Sequence, residues 1–169
     1  MAALHYEATY PAAFERVMSV LTDPDFLSAY AKEVGALAHD VAVARGGAGF
    51  EVQTRVTMTV PTDGVPAVLK RLVTPTVEII EVRTWQAADE TQCRGVLAVD
   101  ASARGRSARV RGSLLLSSGS RGATQFVVDG QSAVDVRLLG ELAAALVKDL
   151  VGSVIKRQTL VMERWLRQP

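Results

Sequence analysis

The run LGELAAALVKDLVGSVIKRQTLVMERWLRQ, residues 139–168, decides the fold. Within it Leu139, Ala143, Leu146, Leu150, Val154, Val161 and Trp165 recur at helical spacings. Lys148, Asp149, Gly152, Lys156, Thr159, Glu163 and Arg167 fall on the opposite side. This pattern predicts one amphipathic helix with a wide apolar stripe and a charged back. At about 1.5 Å rise per residue it would run roughly 40 Å, the diameter of a small domain. Such a helix needs a large, curved apolar surface to cover it, and a sheet wrapped around it is the natural partner.

The rest of the chain supplies that sheet. Leu4, Tyr6, Ala8 and Tyr10 alternate with polar residues, a strand signature with a period of two. Pro11 suits the first turn of a helix, and Phe14, Val17, Met18 and Leu21 give that helix its inner face. Asp23 is a good N-cap with Pro24 at the first helical position. Phe26, Leu27, Tyr30 and Val34 form the stripe of this second helix, and Gly35 can close it in the left-handed conformation.

Strands follow at 39–45 and 50–60, joined by Gly46-Gly47-Ala48-Gly49 as a hairpin turn. Phe50, Val52, Thr54, Val56, Met58 and Val60 share one face of the second strand, and its other face is polar, as in an antiparallel sheet with one wet side. Residues 61–74 interrupt, with a helical turn expected at 68–72, and further strands are expected at 77–85, 95–102, 109–116 and 125–136. The order is strand, two short helices, about six strands, then one long helix. It defines an α+β, two-layer architecture, and all 169 residues read as a single domain.

Certain residues carry a resemblance that spans almost the whole chain. They are Tyr10-Pro11-Ala12-Ala13-Phe14-Glu15-Arg16-Val17 and Leu21-Thr22-Asp23-Pro24-Asp25-Phe26, then Arg83-Thr84-Trp85, Gly112-Ser113-Leu114-Leu115-Leu116 and Val136-Arg137-Leu138-Leu139-Gly140. The chain resembles the START-like (SRPBCC) helix-grip superfamily, which includes the birch-allergen-like and polyketide-cyclase-like groups. Within it the chain is most similar to a largely actinobacterial family of unknown function, DUF2505. The resemblance implies a curved antiparallel sheet gripping the C-terminal helix over an apolar ligand pocket. It implies no catalytic residues.

Composition bounds the function. Apolar residues make up 49% but aromatics only 5%, so Val, Leu and Ala must fill the interior. A net charge of +1 with interspersed signs provides no field for a polyanion, and no nucleic-acid partner is expected. No stretch approaches ~20 uninterrupted apolar residues, so no membrane span is expected. The first residues lack the basic-then-apolar pattern of a signal segment. Cys93 is the lone cysteine, which excludes an internal disulfide and fits a reducing, cytoplasmic compartment.

No chemical motif stands out. His5 and His39 lack partners at metal-ligand spacing, so neither a metal nor another cofactor is expected, and both read as surface or edge histidines. Cys93 reads as a structural thiol. The glycines at 46, 47 and 49 precede a strand rather than a helix, against a phosphate loop. Arg104, Arg106, Arg109 and Arg111 read as a solvated hairpin tip. The face of the 77–85 strand that points inward is undecided. If inward, Glu81 and Arg83 would be a polar ligand anchor or an acid/base pair; the preferred reading makes them a surface pair.

The expected function is therefore binding of a small hydrophobic ligand, lipid- or polyketide-like, between sheet and helix. Inward parity nominates Val52, Thr54, Val56, Met58, Leu97, Val99, Leu114, Phe126 and Val128, with Leu146, Leu150 and Val154 from the helix. Thr54 would orient the ligand, and residues 61–74 would form a lid. One alternative is a cyclase- or hydratase-like enzyme using Glu81 or Arg83. Another is an interaction module without ligand. Whether copies of the chain associate is left open.

Overall fold

The computed structural model describes residues 1–71, 73–135 and 140–169, with Leu69 described by its backbone alone. Among the described residues the elements run β1 (Ala2–Tyr10), α1 (Phe14–Leu21), α2 (Pro24–Val34), β2 (Ala38–Arg45), β3 (Val52–Pro61), α3 (Ala67–Lys70), β4 (Thr76–Trp85), β5 (Gln92–Ala103), β6 (Arg106–Ser118), β7 (Thr124–Val134) and α4 (Gly140–Leu166). Leu139, residues 136–138 of the helix-entry motif, and Leu72 of the expected turn lie outside the described residues.

The seven strands form one antiparallel sheet in the order β1-β7-β6-β5-β4-β3-β2. Every strand after β2 therefore pairs with its predecessor in the chain, and β1 closes the far side against β7. The Gly46–Gly49 turn sets the β2–β3 register, with Arg45 opposite Val52. The β5–β6 hairpin turns through Arg104 and Gly105, both at positive φ. Gly112 and Gly130 face each other across β6 and β7, where a Cβ on Gly112 would fall 2.5 Å from the Asp129 carbonyl oxygen. Neither glycine adds a side chain to the concave face, between Leu97 on one side and Leu4 on the other.

Local chemistry explains the helical ends. Asp23 accepts from the Asp25 amide at 2.8 Å, Pro24 begins α2, and Gly35 ends it at φ 97°. Pro11 does not begin α1. It occupies a bend, and α1 starts at Phe14 after Ala13, because the Ala12 amide bonds back to the Tyr10 carbonyl in a turn.

Helix α4 spans 27 residues and crosses the concave face. Its contacts are chiefly with β7, β1 and α2. The buried side chains are Ala143, Ala144, Ile155, Gln158, Val161 and Met162. The packed stripe is thus rotated from the expected one: Ile155 and Met162 replace Leu150 and Val154 as the deepest contacts, and Leu150 is 52% exposed. The rotation has a cause in the second half of the helix. There Tyr6 hydrogen-bonds Thr159 at 2.9 Å and Trp165 packs edge-on against Phe26 at 5.6 Å, which fixes the rotation about the axis. Under this half the interior is solid, with Tyr10, Phe26, Phe126 and Leu116 essentially fully buried.

Candidate functional site

The first half of α4 covers a hollow. A cavity of about 410 Å³ lies between this half, the inner faces of β4, β5 and β6, and the segment leading into α3. The sheet register explains the space. Trp85 and Leu116 mark the filled end, next to Gly95 and Cys93. Toward the β5–β6 turn the inward residues shrink: Ala101 pairs with Ala108 and Ile79, and Ala103 pairs with Arg106. On the helix, Ala143 offers little volume in return. Small side chains on facing surfaces that a straight helix holds apart leave a void that neither can fill.

Of the twelve sequence-nominated residues, Met58, Leu97, Val99, Leu114, Val128, Leu146, Leu150 and Val154 line this cavity. Val52, Thr54, Val56 and Phe126 are buried on the same sheet face but do not line it. Lining residues that parity does not nominate include Ile79, Ala101, Ala108, Val147 and Val151. The rotation of α4 accounts for the last two. The alternation of β4 would nominate Ile79 once its inner face is settled. Leu150 sits at the rim, half in solvent. Thr62, Val65, Pro66 and Val73 line the cavity from the segment between β3 and β4. Arg106 and Arg109, both exposed, also border it. The hairpin tip reaches the same segment through Arg104, which donates to the Arg71 carbonyl at 3.3 Å.

The polar wall overturns the preferred reading of β4. Glu81 and Arg83 are not a surface pair: they are 6% and 2% exposed, and both line the cavity. Their inward face follows from Trp85, two residues on, which is fully buried. Arg83 Nε lies 2.8 Å from Glu81 Oε1, an ion-pair contact whose N–H is not aligned for a hydrogen bond. Tyr30 donates its hydroxyl to Glu81 Oε2 at 2.9 Å, and the guanidinium lies 5.8 Å from the centre of the Tyr30 ring. Burial, reinforced by the Glu81 charge, pushes the Tyr30 hydroxyl well above its ordinary pKa. Burial opposes the charged form of Arg83, yet Glu81 together with Tyr30 and Tyr10 outweighs it and holds the guanidinium above its ordinary value. Arg83 Nη1 has no hydrogen-bond partner among the described residues. Nearby, Gln158 donates to the Tyr10 hydroxyl at 3.4 Å.

The remaining sequence candidates lie elsewhere. His5 is exposed on edge strand β1, 2.5 Å from Asp129 and 3.2 Å from Glu7. His39, on the other edge strand, contacts the Ser28 hydroxyl at 2.5 Å. Cys93 is buried and donates to the Gln86 carbonyl at 3.1 Å, and burial, with the charges of Glu51 and Asp89, raises its pKa. A buried thiol with a raised pKa is a poor nucleophile. Among the described residues no helix is long and apolar enough to cross a membrane.

A bent sheet closed over one long helix, with its hollow at one end of the groove, is the START-like, helix-grip fold. Solved structures agree across nearly the full length. A Thermus thermophilus protein matches with a TM-score of 0.61 at 21% identity, over 96% of this chain and 95% of that one. A START superfamily protein from Mycobacterium smegmatis matches with a TM-score of 0.53 at 17% identity, over 95% and 94%. Ara h 8.0201 matches with a TM-score of 0.52 at 14% identity, over 95% and 97%. At these identities the likeness is one of fold. No curated protein matches the sequence. The chain belongs to the family described as a protein of unknown function, DUF2505, whose profile covers residues 5–166.

Proposed function

We propose that this protein binds a small hydrophobic molecule, lipid- or polyketide-like, in the cavity beneath the first half of α4. The observation that carries the reading is the hollow itself: about 410 Å³, within the ~300–1,000 Å³ of small-molecule sites, walled by aliphatic side chains with two buried charges at one place. Met58, Leu97, Val99, Leu114, Val128, Leu146, Leu150 and Val154 make the apolar contacts. Residues 61–74 act as the lid, and a cytoplasmic location goes with the single reduced cysteine. Native mass spectrometry of protein purified from its own host tests the reading. A co-purifying hydrophobic adduct, lost on filling the cavity with Ala108→Phe, is expected. Homogeneous apo-protein that takes up no hydrophobic compound would contradict it. It would favour the ligand-free interaction module.

One observation favours a second reading, catalysis of a cyclase or hydratase type in the same pocket. Glu81 and Arg83 line the cavity, and Tyr30, which does not, donates to the Glu81 carboxylate, so a buried proton donor touches a buried carboxylate of the cavity wall. Turnover of a bound polyketide-like substrate, abolished by Tyr30→Phe with the fold retained, is the outcome this reading requires. Binding without turnover leaves the carrier reading alone.

A further inference from the structure

We infer that the molecule held in this cavity is an amphiphile with an anionic head group, and that the head rests on Arg106 at the open end of the cavity. The inference depends on the cavity being a ligand site and assigns the chemistry of the ligand's polar end.

The β5–β6 register places Arg106. Val99 pairs with the buried Val110, Ala101 with Ala108 and Ala103 with Arg106, so these residues share the concave face. Val99, Ala101, Ala103 and Ala108 line the cavity as an apolar track of small side chains, and Arg106 stands at its end. Arg106 is exposed, and no ion pair among the described residues includes it. Arg111, on the opposite face of β6, is by contrast held by Asp100 at 2.7 Å. Further cations gather at the same end. Arg109 also borders the cavity, and Arg104 donates to the Arg71 carbonyl, which brings the exposed Lys70 and Arg71 to the hairpin tip. Asp149 on α4 is the one exposed carboxylate among the residues that border the cavity.

This arrangement sorts amphiphiles by the charge of the head. An apolar chain fills the alanine-lined hollow whatever head it carries, and its burial drives binding. The head stays at the mouth, in water, so a charged group bears no desolvation cost there. An anionic head gains the unpaired Arg106 and the field of its basic neighbours, a neutral head gains neither, and a cationic head is repelled. The buried Glu81 does not oppose this. It pairs across the ladder with Val99, four residues short of Ala103, and so lies ~13 Å away at ~3.3 Å per residue. Its charge is also matched by Arg83 at 2.8 Å.

Calorimetric titration of the full chain at neutral pH and low salt with decanoate, decanol and decylamine separates the cases. The chain is shared, and only the charge of the head differs. Decanoate should bind about fivefold more tightly than decanol, the ratio an exposed ion pair among like cations supports, and decylamine most weakly. Sodium chloride at about 1 M, where the Debye length is ~3 Å, should bring decanoate and decanol within about twofold. Arg106→Gln should do the same at low salt, and Arg106→Glu should place decylamine ahead of decanoate. Both substitutions lie at an exposed position, so the fold is retained. Ala101→Phe, which fills the track, should abolish decanoate binding. Equal binding of the three, tightest binding of decanol or decylamine, or a decanoate preference that survives Arg106→Gln overturns the inference while leaving the cavity a ligand site. Undiminished decanoate binding by Ala101→Phe puts the anion on the surface alone and overturns it too. Binding of none of the three overturns both readings.

Discussion

Replacing Ala101 with Phe should stabilise this protein, whereas replacing Ala144 with Phe should destabilise it. Ala101 lies on β5 between Ile79 and Ala108 and faces the hollow. Ala144 lies on α4, is fully buried and does not border the hollow, and its carbonyl accepts from the Ser132 hydroxyl at 2.6 Å. A phenyl ring at residue 101 removes roughly 100 Å² of additional apolar surface from water, worth about 2.5 kcal/mol at ~25 cal/mol per Å². Ordering the ring takes back about 1 kcal/mol. The net gain is about 1.5 kcal/mol. The same ring at residue 144 has no void to enter and should cost about 1–3 kcal/mol through displaced neighbours. Equilibrium urea unfolding reads the difference, with midpoints moving in opposite directions at unchanged slope. If both variants lose stability alike, the space under the first half of α4 is not there and the reasoning fails.

Other outcomes follow from the same geometry. Arg83→Met leaves Glu81 buried without its partner and should cost about 3–5 kcal/mol by denaturant titration, most of it recovered in Glu81→Gln/Arg83→Met. Asp23→Ala removes the side-chain acceptor at the start of α2 and should cost about 1 kcal/mol. His5, hydrogen-bonded to the Asp129 carboxylate, should titrate above 6.5 by NMR, and Asp129→Asn should return it toward that value. Because the folded-state pKa is the higher one, the contribution of this pair to stability is present below 6.5 and fades as pH rises through the folded value. Amide exchange across residues 61–74 should slow when 2-naphthol is added; equal exchange with and without it removes the lid.

The sequence carries more of the topology than of the site. Strict alternation in 50–60, the Asp23-Pro24 start and the helical run after residue 140 each report a local periodicity, and local periodicity survives folding. The features that are not legible depend on distant packing. The rotation of α4 is set by Tyr6, Phe26 and their partners on other elements, so periodicity alone puts the stripe about one position off and Leu150 too deep. The β4 strand has apolar residues on both faces, Ile79 with Trp85 and Ile80 with Val82, so parity is silent and the rarity of buried charge favours the wrong face. The scarcity of large side chains is plain in the composition. That Ala101, Ala103 and Ala108 gather in neighbouring strands is not, because it is a property of register. Thr54 stands out on type and parity, yet it is Arg83, opposite it across the β3–β4 ladder, that borders the cavity.

The central claim is that α4 roofs an empty apolar space at one end and a filled core at the other. Crystals pressurised with xenon test it most directly, since dry apolar cavities take up the gas. Xenon density among Ile79, Val99, Leu146 and Val151, and none between Tyr10, Phe126 and Met162, is the result this account predicts. An unoccupied site beneath Leu146 and Val151, with side chains closed across it, would contradict it.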